Sequence, residues 1–444
     1  IKGGGNMTFE RVCRNVVCCG SSLLCADIEV SVNGSSISTV RNACIIGEQR
    51  FRIPGSESRH LNPLIRDERG EVRKVSLAEA LKVAAKILLD SERPLLYGWG
   101  STTCEAQKLG IQLARRVNGV IGGSFSILDR QTLIATCKYG LFTCTFGQVK
   151  NRANLIIFWR CNPLDSHPRF LSRYTVFPTG FFNQGRPDRK IIVIDNRETE
   201  TSKLADKFIR INPSADFEFI TALRSALDNR EVSGAVGGVS AEQIYDLAKD
   251  MKETNFGAIF FGSDLTLSGR RYLLSLIRDL NETARFIVME MRRPFNEVGF
   301  MITMLRETGF PFGADFSNAD SSPTEAIATT LLERGLCDAA IVIASDPVSN
   351  LSWNMVRHLT QIPLVVIDPY WSPTAEVADV VIPAAISGIE AEGTAYRMDG
   401  VPLYLKKVIN PPENCLSDEN ITVSYTHLRA HETSLHLVCR LLLE

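Results

Sequence analysis

A loop-and-strand unit that occurs twice constrains this chain more than any other feature. The first copy reads IIVIDNRETETSKLADKFIRI and the second PLVVIDPYWSPTAEVADVVIP, so Asp195, Thr201, Ala205 and Asp206 fall in register with Asp368, Thr374, Ala378 and Asp379. Each copy follows a shorter apolar strand that ends in a polar residue and a proline, LIIFWRCNP to Pro163 with Asn162 before it and AIVIASDP to Pro347 with Asp346 before it. In an open α/β sheet the carboxyl ends of the strands face the ligand crevice, where an aspartate can accept from ribose hydroxyls or a base edge. Two such copies predict two half-sites, and hence a ligand with two similar ends.

The order of elements supports that reading. Residues 1–60 alternate as strands and carry Asn33-Gly34, a hairpin signal. Ser76 and Glu79 form a capping pattern that opens a helix over LAEALKVAAKILL, and a second helix from about Cys104 ends at Asn118-Gly119. From PLLYGWG onward, short apolar strands alternate with helices, the pattern of a mostly parallel sheet buried on both faces. Asp399-Gly400 predicts a closing hairpin. The expected division is a β-rich, cysteine-bearing N-terminal unit (1–60), a first α/β half-site domain (61–240), a second one with the hairpin (241–412), and a non-native tail (413–444). From Val423 the tail, VSYTHLRAHETSLHLVCRLLLE, changes character and resembles a translated sequencing adapter, so the chain reads as a fragment.

Composition narrows the function classes. A net charge of −1 over 444 residues gives no electrostatic reason to expect nucleic acid or an anionic membrane as partner. No apolar run approaches the ~20 residues that cross a bilayer, so a cytoplasmic protein is expected. Of twelve cysteines, Cys13, Cys18, Cys19, Cys25 and Cys44 crowd the start, which points to an iron–sulfur or zinc heritage before a disulfide scaffold.

TCTFGQVKNRANLIIFWRCNPLDSHPRFLSRYTVFPTGFF, IDNRETETSKLADKFIRINPSADFE and IEAEGTAYRMDGVPLYLKKV together resemble the B subunit of formylmethanofuran dehydrogenase, in the molybdopterin oxidoreductase superfamily. The resemblance runs from about Asn15 to Pro412. It implies a multi-domain molybdopterin-oxidoreductase-like α/β fold in which two related domains each hold one guanine dinucleotide end of a bis-pterin cofactor, with molybdenum or tungsten between them. By that resemblance Asn162, Asp195, Thr201, Asp346, Asp368, Glu392 and Gly393 are the candidate cofactor-binding residues.

The chain departs from the family's redox pattern in three places. Where active relatives supply a cysteine or selenocysteine followed by histidine, this sequence has Leu128 and Asp129, and leucine offers no donor to a soft metal. Cys137 lies too far downstream to be the expected substitute. For the family's four-cysteine [4Fe–4S] motif, Cys18, Cys25 and Cys44 match three positions while Ser21 takes the remaining one, so these are read as vestigial ligands. Arg160 stands where the family has glycine; it adds bulk beside a pterin, or clamps a phosphate. The pattern most resembles the metal-free homologue of the bacterial formyltransferase/hydrolase complex. That implies a non-redox structural subunit without cofactor, acting with other subunits in tetrahydromethanopterin- and methanofuran-linked one-carbon metabolism. The alternative is a catalytic formylmethanofuran dehydrogenase subunit with molybdopterin guanine dinucleotide, W or Mo and a [4Fe–4S] cluster. Among retained residues, His167 reads as structural, Lys150 is unassigned, and Glu390 and Glu392 are expected on one face, suited to a pterin or to a salt bridge.

Overall fold

Short runs of β-branched and aromatic residues, apolar at nearly every position, form the central strands of two parallel sheets, because such strands are covered by helices on both faces. The computed structural model describes residues 11–67, 69–123, 136, 139–140, 142–317 and 328–428. In chain order the strands are β1 (Arg11–Val16), β2 (Ile28–Asn33), β3 (Ser36–Arg41), β4 (Leu64–Arg66), β5 (Val72–Lys74), β6 (Pro94–Gly98) and β7 (Val120–Gly122). There follow β8 (Leu155–Trp159), β9 (Lys190–Asp195), β10 (Lys207–Arg210), β11 (Phe256–Phe261), β12 (Arg285–Glu290) and β13 (Gly313–Asp315). The last are β14 (Ala339–Ile343), β15 (Leu364–Asp368), β16 (Val380–Pro383), β17 (Gly393–Tyr396) and β18 (Pro402–Leu405).

The chain divides into two compact units. Unit 1 comprises residues 1–127, 294–397 and 402–444; unit 2 comprises 128–293 and 398–401. Unit 2 holds a five-stranded parallel sheet in the order β10-β9-β8-β11-β12. Its core joins Ile157, Trp159 and Ile194 to Phe219 and Leu223 of helix Asp216–Leu227 and Leu273 and Ile277 of helix Leu267–Leu280. Unit 1 holds an eight-stranded sheet in the order β13-β7-β6-β14-β15-β16-β4-β5, parallel from β7 to β16 and antiparallel at both edges.

Strand order thus reverses between β8 and β11 in one sheet and between β6 and β14 in the other, the two points where an open α/β sheet leaves a crevice. Each large sheet draws strands from both sides of residue 241, so the sheets do not follow the division into 61–240 and 241–412 expected from element order. The reason is topological: unit 2 is inserted into unit 1 between its strands β7 and β13.

Local expectations hold with small shifts. Helix Leu77–Asp90 starts at Ser76, whose hydroxyl accepts from Glu79 N at 3.2 Å, while the Glu79 carboxylate turns to Arg73 at 2.7 Å and does not close the capping box. Helix Cys104–Arg116 ends with Asn118 at φ +48°. The first hairpin, between β2 and β3, turns on Gly34 and Ser35, one position later than Asn33-Gly34, with Gly34 at φ +61°. No helix among the described residues is long and apolar enough to cross a membrane.

Candidate dinucleotide half-sites

The two copies of the repeat fold into the same hydrogen-bond circuit, one in each unit. In unit 2 the chain leaves β8 through Arg160, whose N–H donates to Ile194 O at 2.8 Å. Asn162 Oδ1 then accepts from the Thr201 hydroxyl at 2.5 Å, and that hydroxyl accepts from Leu164 N at 3.3 Å. At the return strand, Asp206 Oδ2 accepts from Ile191 N at 2.7 Å. In unit 1, Ala344 N donates to Ile367 O at 2.9 Å, Asp346 Oδ1 accepts from the Thr374 hydroxyl at 2.5 Å, and that hydroxyl accepts from Val348 N at 3.1 Å. Asp379 Oδ2 accepts from Leu364 N at 2.8 Å. Arg160 and Ala344 both stand in the left-handed region, at φ +51° and +46°.

This circuit sorts the candidate residues. Thr201 and Thr374 are fully buried and spend their hydroxyls tying the turn after one strand to the loop after the next; Asn162 and Asp346 are their partners. Asp195 and Asp368 are different: each sits at a strand's carboxyl end, and one oxygen of each accepts a local N–H, from Asn196 at 2.7 Å and Tyr370 at 2.8 Å. Burial pushes the Asp368 carboxyl up to about 7 against the opposing Tyr370 N–H and Arg50 charge, and burial likewise raises Asp195. The switch points are lined by glycines under close backbone approach. A Cβ on Gly98 would lie 2.2 Å from Ile343 O and one on Gly262 2.0 Å from Arg160 O.

Unit 1 adds groups that the sequence did not single out. Arg50 donates through Nη1 to the Tyr370 hydroxyl at 2.5 Å and lies close enough to Asp368 and Cys19 to feel both. Arg59 pairs with Glu390 at 2.6 Å, both side chains only 1% exposed. Asp418 is pushed up to about 7 by burial and next by Asp368. Arg50 Nε, Arg59 Nε and Asp418 Oδ1 are buried with no hydrogen-bond partner in the structure. Arg50, one of two arginines in the short helix Ile45–Arg52, carries no pattern, and Asp418 falls within the stretch expected to be a non-native tail although it precedes Val423. Helix Asp418–Leu428 in fact buries Ile421.

Other expectations are corrected. Glu390 and Glu392 do not share a face: Glu390 is buried against Arg59, while Glu392 is exposed and accepts from the Tyr404 hydroxyl. Gly393, at φ +154°, is required by Thr103, whose Cγ2 would lie 2.6 Å from a Cβ there. Arg160 turns its guanidinium into unit 2. Its guanidinium pairs with buried Asp216 at 3.1 Å and donates to Asn212 O at 2.8 Å, with Trp159 Nε1 completing the Asp216 shell at 2.9 Å. His167 is fully buried between the Ser166 hydroxyl (2.9 Å) and Arg292 O (3.0 Å), and burial lowers it to about 4. Lys150 gives its carbonyl to Asn183 and Arg189. Leu128, Asp129 and Cys137 lie outside the described residues.

No protein-family model matches the chain. It is 42% identical over 421 residues to the B subunit of the tungsten-containing formylmethanofuran dehydrogenase 2 of Methanocaldococcus jannaschii, covering 93% of this chain and 97% of the relative. To the protein of the same name in Methanococcus maripaludis it is 39% identical over 420 residues, covering 92% and 97%. The chain belongs to the family of formylmethanofuran dehydrogenase B subunits. Among solved structures it is similar to the formyltransferase/hydrolase complex of Methylorubrum extorquens in complex with methylofuran, with a TM-score of 0.67 at 20% identity over 84% of this chain and 100% of that one. Acetylene hydratase from Pelobacter acetylenicus also gives 0.67, at 14% identity over 94% and 69%. Both likenesses show the molybdopterin-oxidoreductase-like fold.

The groups implied by the formylmethanofuran dehydrogenase family fit this chain unequally. Cys18, Cys19, Cys25 and Cys44 lie near one another: Cys18 Sγ is 2.9 Å and Cys44 Sγ 3.9 Å from where a Gly47 Cβ would stand, and Cys18 is raised to about 12 by burial first and by the other three sulfurs after it. Yet Ser21 Oγ, in the place of the missing ligand, accepts from Leu23 N at 3.4 Å, and no group of three or more His, Cys, Asp or Glu among the described residues stands at metal-holding spacing. The motif positions supply three thiols and one hydroxyl, so a four-thiolate cluster would have to recruit Cys19 in place of Ser21. The dinucleotide half-sites fit better. Asp195 and Asp368 are aimed as acceptors at strand ends, and the unpartnered Arg50 Nε and Asp418 Oδ1 leave a donor and an acceptor in unit 1 without protein partners.

Proposed function

We propose that this chain works without redox chemistry of its own, supporting partner subunits that transfer and hydrolyse formyl groups in one-carbon metabolism in the cytoplasm. The observation that carries the reading is the donor set. Leu128 stands where a soft metal would need a thiolate, and at the four positions of the family's cluster motif Cys18, Cys25 and Cys44 fill three while Ser21, whose hydroxyl accepts from Leu23 N, takes the fourth. The intact half-sites then act as structural elements, or hold a guanine nucleotide or an empty pterin dinucleotide through Asp195 and Asp368.

A second reading, a catalytic formylmethanofuran dehydrogenase subunit with W or Mo on a bis-pterin, is favoured by the 42% identity to a relative named as tungsten-containing. It requires a metal donor other than Leu128. Elemental analysis for W, Mo and Fe on the chain co-expressed with its partner subunits separates the two. We expect far less than one W or Mo per chain; a stoichiometric amount would overturn the non-redox reading and establish the second.

A further inference from the structure

Unit 2 presents three large apolar side chains to solvent from one loop: Phe181 is 87% exposed, Phe182 71% and Phe177 50%. The loop is not loose. Buried Arg189 donates to Ala153 O at 3.2 Å, Val176 O at 3.1 Å and Pro178 O at 2.8 Å, and also to Lys150 O. Asn151 receives the tip, its carbonyl accepting from Phe182 N at 3.1 Å and its side chain from Phe181 N at 3.3 Å. Asn183 ties back to Lys150 O at 3.1 Å. A Cβ on Gly180 would lie 2.2 Å from Lys150 O, so the close approach demands glycine. Arg152 lies 5.0 Å over the Phe182 ring.

A rigid support under exposed aromatics is what a binding anchor needs, since little side-chain or backbone freedom remains to be lost on association. Fully burying an aromatic removes ~150–250 Å² each from water, so three of them at these exposures supply several hundred Å², a large share of the ~800 Å² per partner of a standard interface. Isolated apolar side chains on a surface need no explanation, but clustered aromatics on one braced loop do. The relatives that this chain matches along nearly their whole length are named as subunits, which makes a partner subunit the occupant to argue for.

We propose that the Phe177–Phe181–Phe182 loop is the anchor by which this chain docks another subunit of its complex, one offering an apolar cleft for the two adjacent rings and a carboxylate at its rim for Arg152. The docking does not depend on whether a metal is bound.

The test uses the full chain co-expressed with the other subunits and purified through a tag on this chain. In the wild-type complex, native mass spectrometry shows a partner subunit at fixed stoichiometry, and amides in residues 177–183 gain hydrogen-exchange protection over the chain alone. In Phe181→Ser/Phe182→Ser that partner is bound at least about tenfold more weakly, as expected for anchor residues, while the melting midpoint of the isolated chain stays near the wild-type value because both rings are already in water. Should the double variant fold poorly, Arg152→Glu is to weaken assembly on its own, and the wild-type exchange measurement still decides. Unchanged assembly, or no added protection at 177–183 in the complex, overturns the proposal. So does protection that appears with concentration of this chain alone, which would make the occupant a second copy.

Discussion

At residue 160 two costs oppose each other. An arginine at φ +51° carries left-handed strain that glycine would relieve, worth about 1 kcal/mol. Its guanidinium, however, neutralises Asp216 in a site where both side chains are nearly inaccessible, and removing one partner of a buried pair costs about 3–5 kcal/mol. The pair wins, so Arg160→Gly is expected to lower unfolding free energy by about 2–4 kcal/mol in urea titration; a neutral or stabilising result would show that Asp216 finds another partner. Asp368 makes a second prediction. With its carboxyl at about 7 instead of the ordinary 3.8, the folded chain keeps a proton there that the unfolded chain releases, so the stability from this group is full below the unfolded value and is lost as pH rises toward 7. Asp368→Asn has no such proton. Its urea midpoint relative to wild type should therefore climb between about pH 4 and pH 7 and level off above, and a constant difference would contradict the buried-carboxyl account. The sequence marked Asp195 and Asp368 because a strand ending in Asp is a local pattern. It could not mark Arg50 or Arg59, whose roles come from residues such as Tyr370 and Glu390 that are distant in the chain.

Elements repeat more faithfully than residues. The spacing shared by Asp195 to Asp206 and Asp368 to Asp379 was legible, and what it encodes is mostly scaffolding: a threonine that ties two turns, and an aspartate that caps the start of the strand it returns to. Removing the tie by Thr201→Val or Thr374→Val leaves a buried N–H and a buried acceptor short of a partner, which costs about 1–3 kcal/mol. Lying in separate units with no shared partner, the two should add within about 0.5 kcal/mol in the double variant by denaturation. Strong coupling would mean that the two ties interact energetically through a shared element. The strands KIIVID and PLVVID are legible to within a residue, since continuous burial leaves an unmistakable apolar run. The short strands β4, β5 and β13 are not, because three residues carry no period to detect.

For the whole molecule, the family was legible and the domain plan was not. Sequence order suggested consecutive domains, whereas strand pairing places β6 beside β14 although the stretch 128–293 of unit 2 separates them along the chain. That insertion sets an order of events during synthesis. Unit 2 is drawn almost entirely from one continuous stretch, 128–293, and can close its five-stranded sheet once β12 has emerged. Unit 1 cannot. Its strand β6 must wait, with one edge unpaired, until Ala339–Ile343 leaves the ribosome, so the nascent chain carries an open apolar strand edge past a neighbour that has already folded. A chaperone that binds extended apolar segments would find its target in the stretch around Leu95 and Leu96, and a ribosome stalled just before β14 should yield a protease-resistant fragment of unit 2 joined to a digestible amino-terminal third.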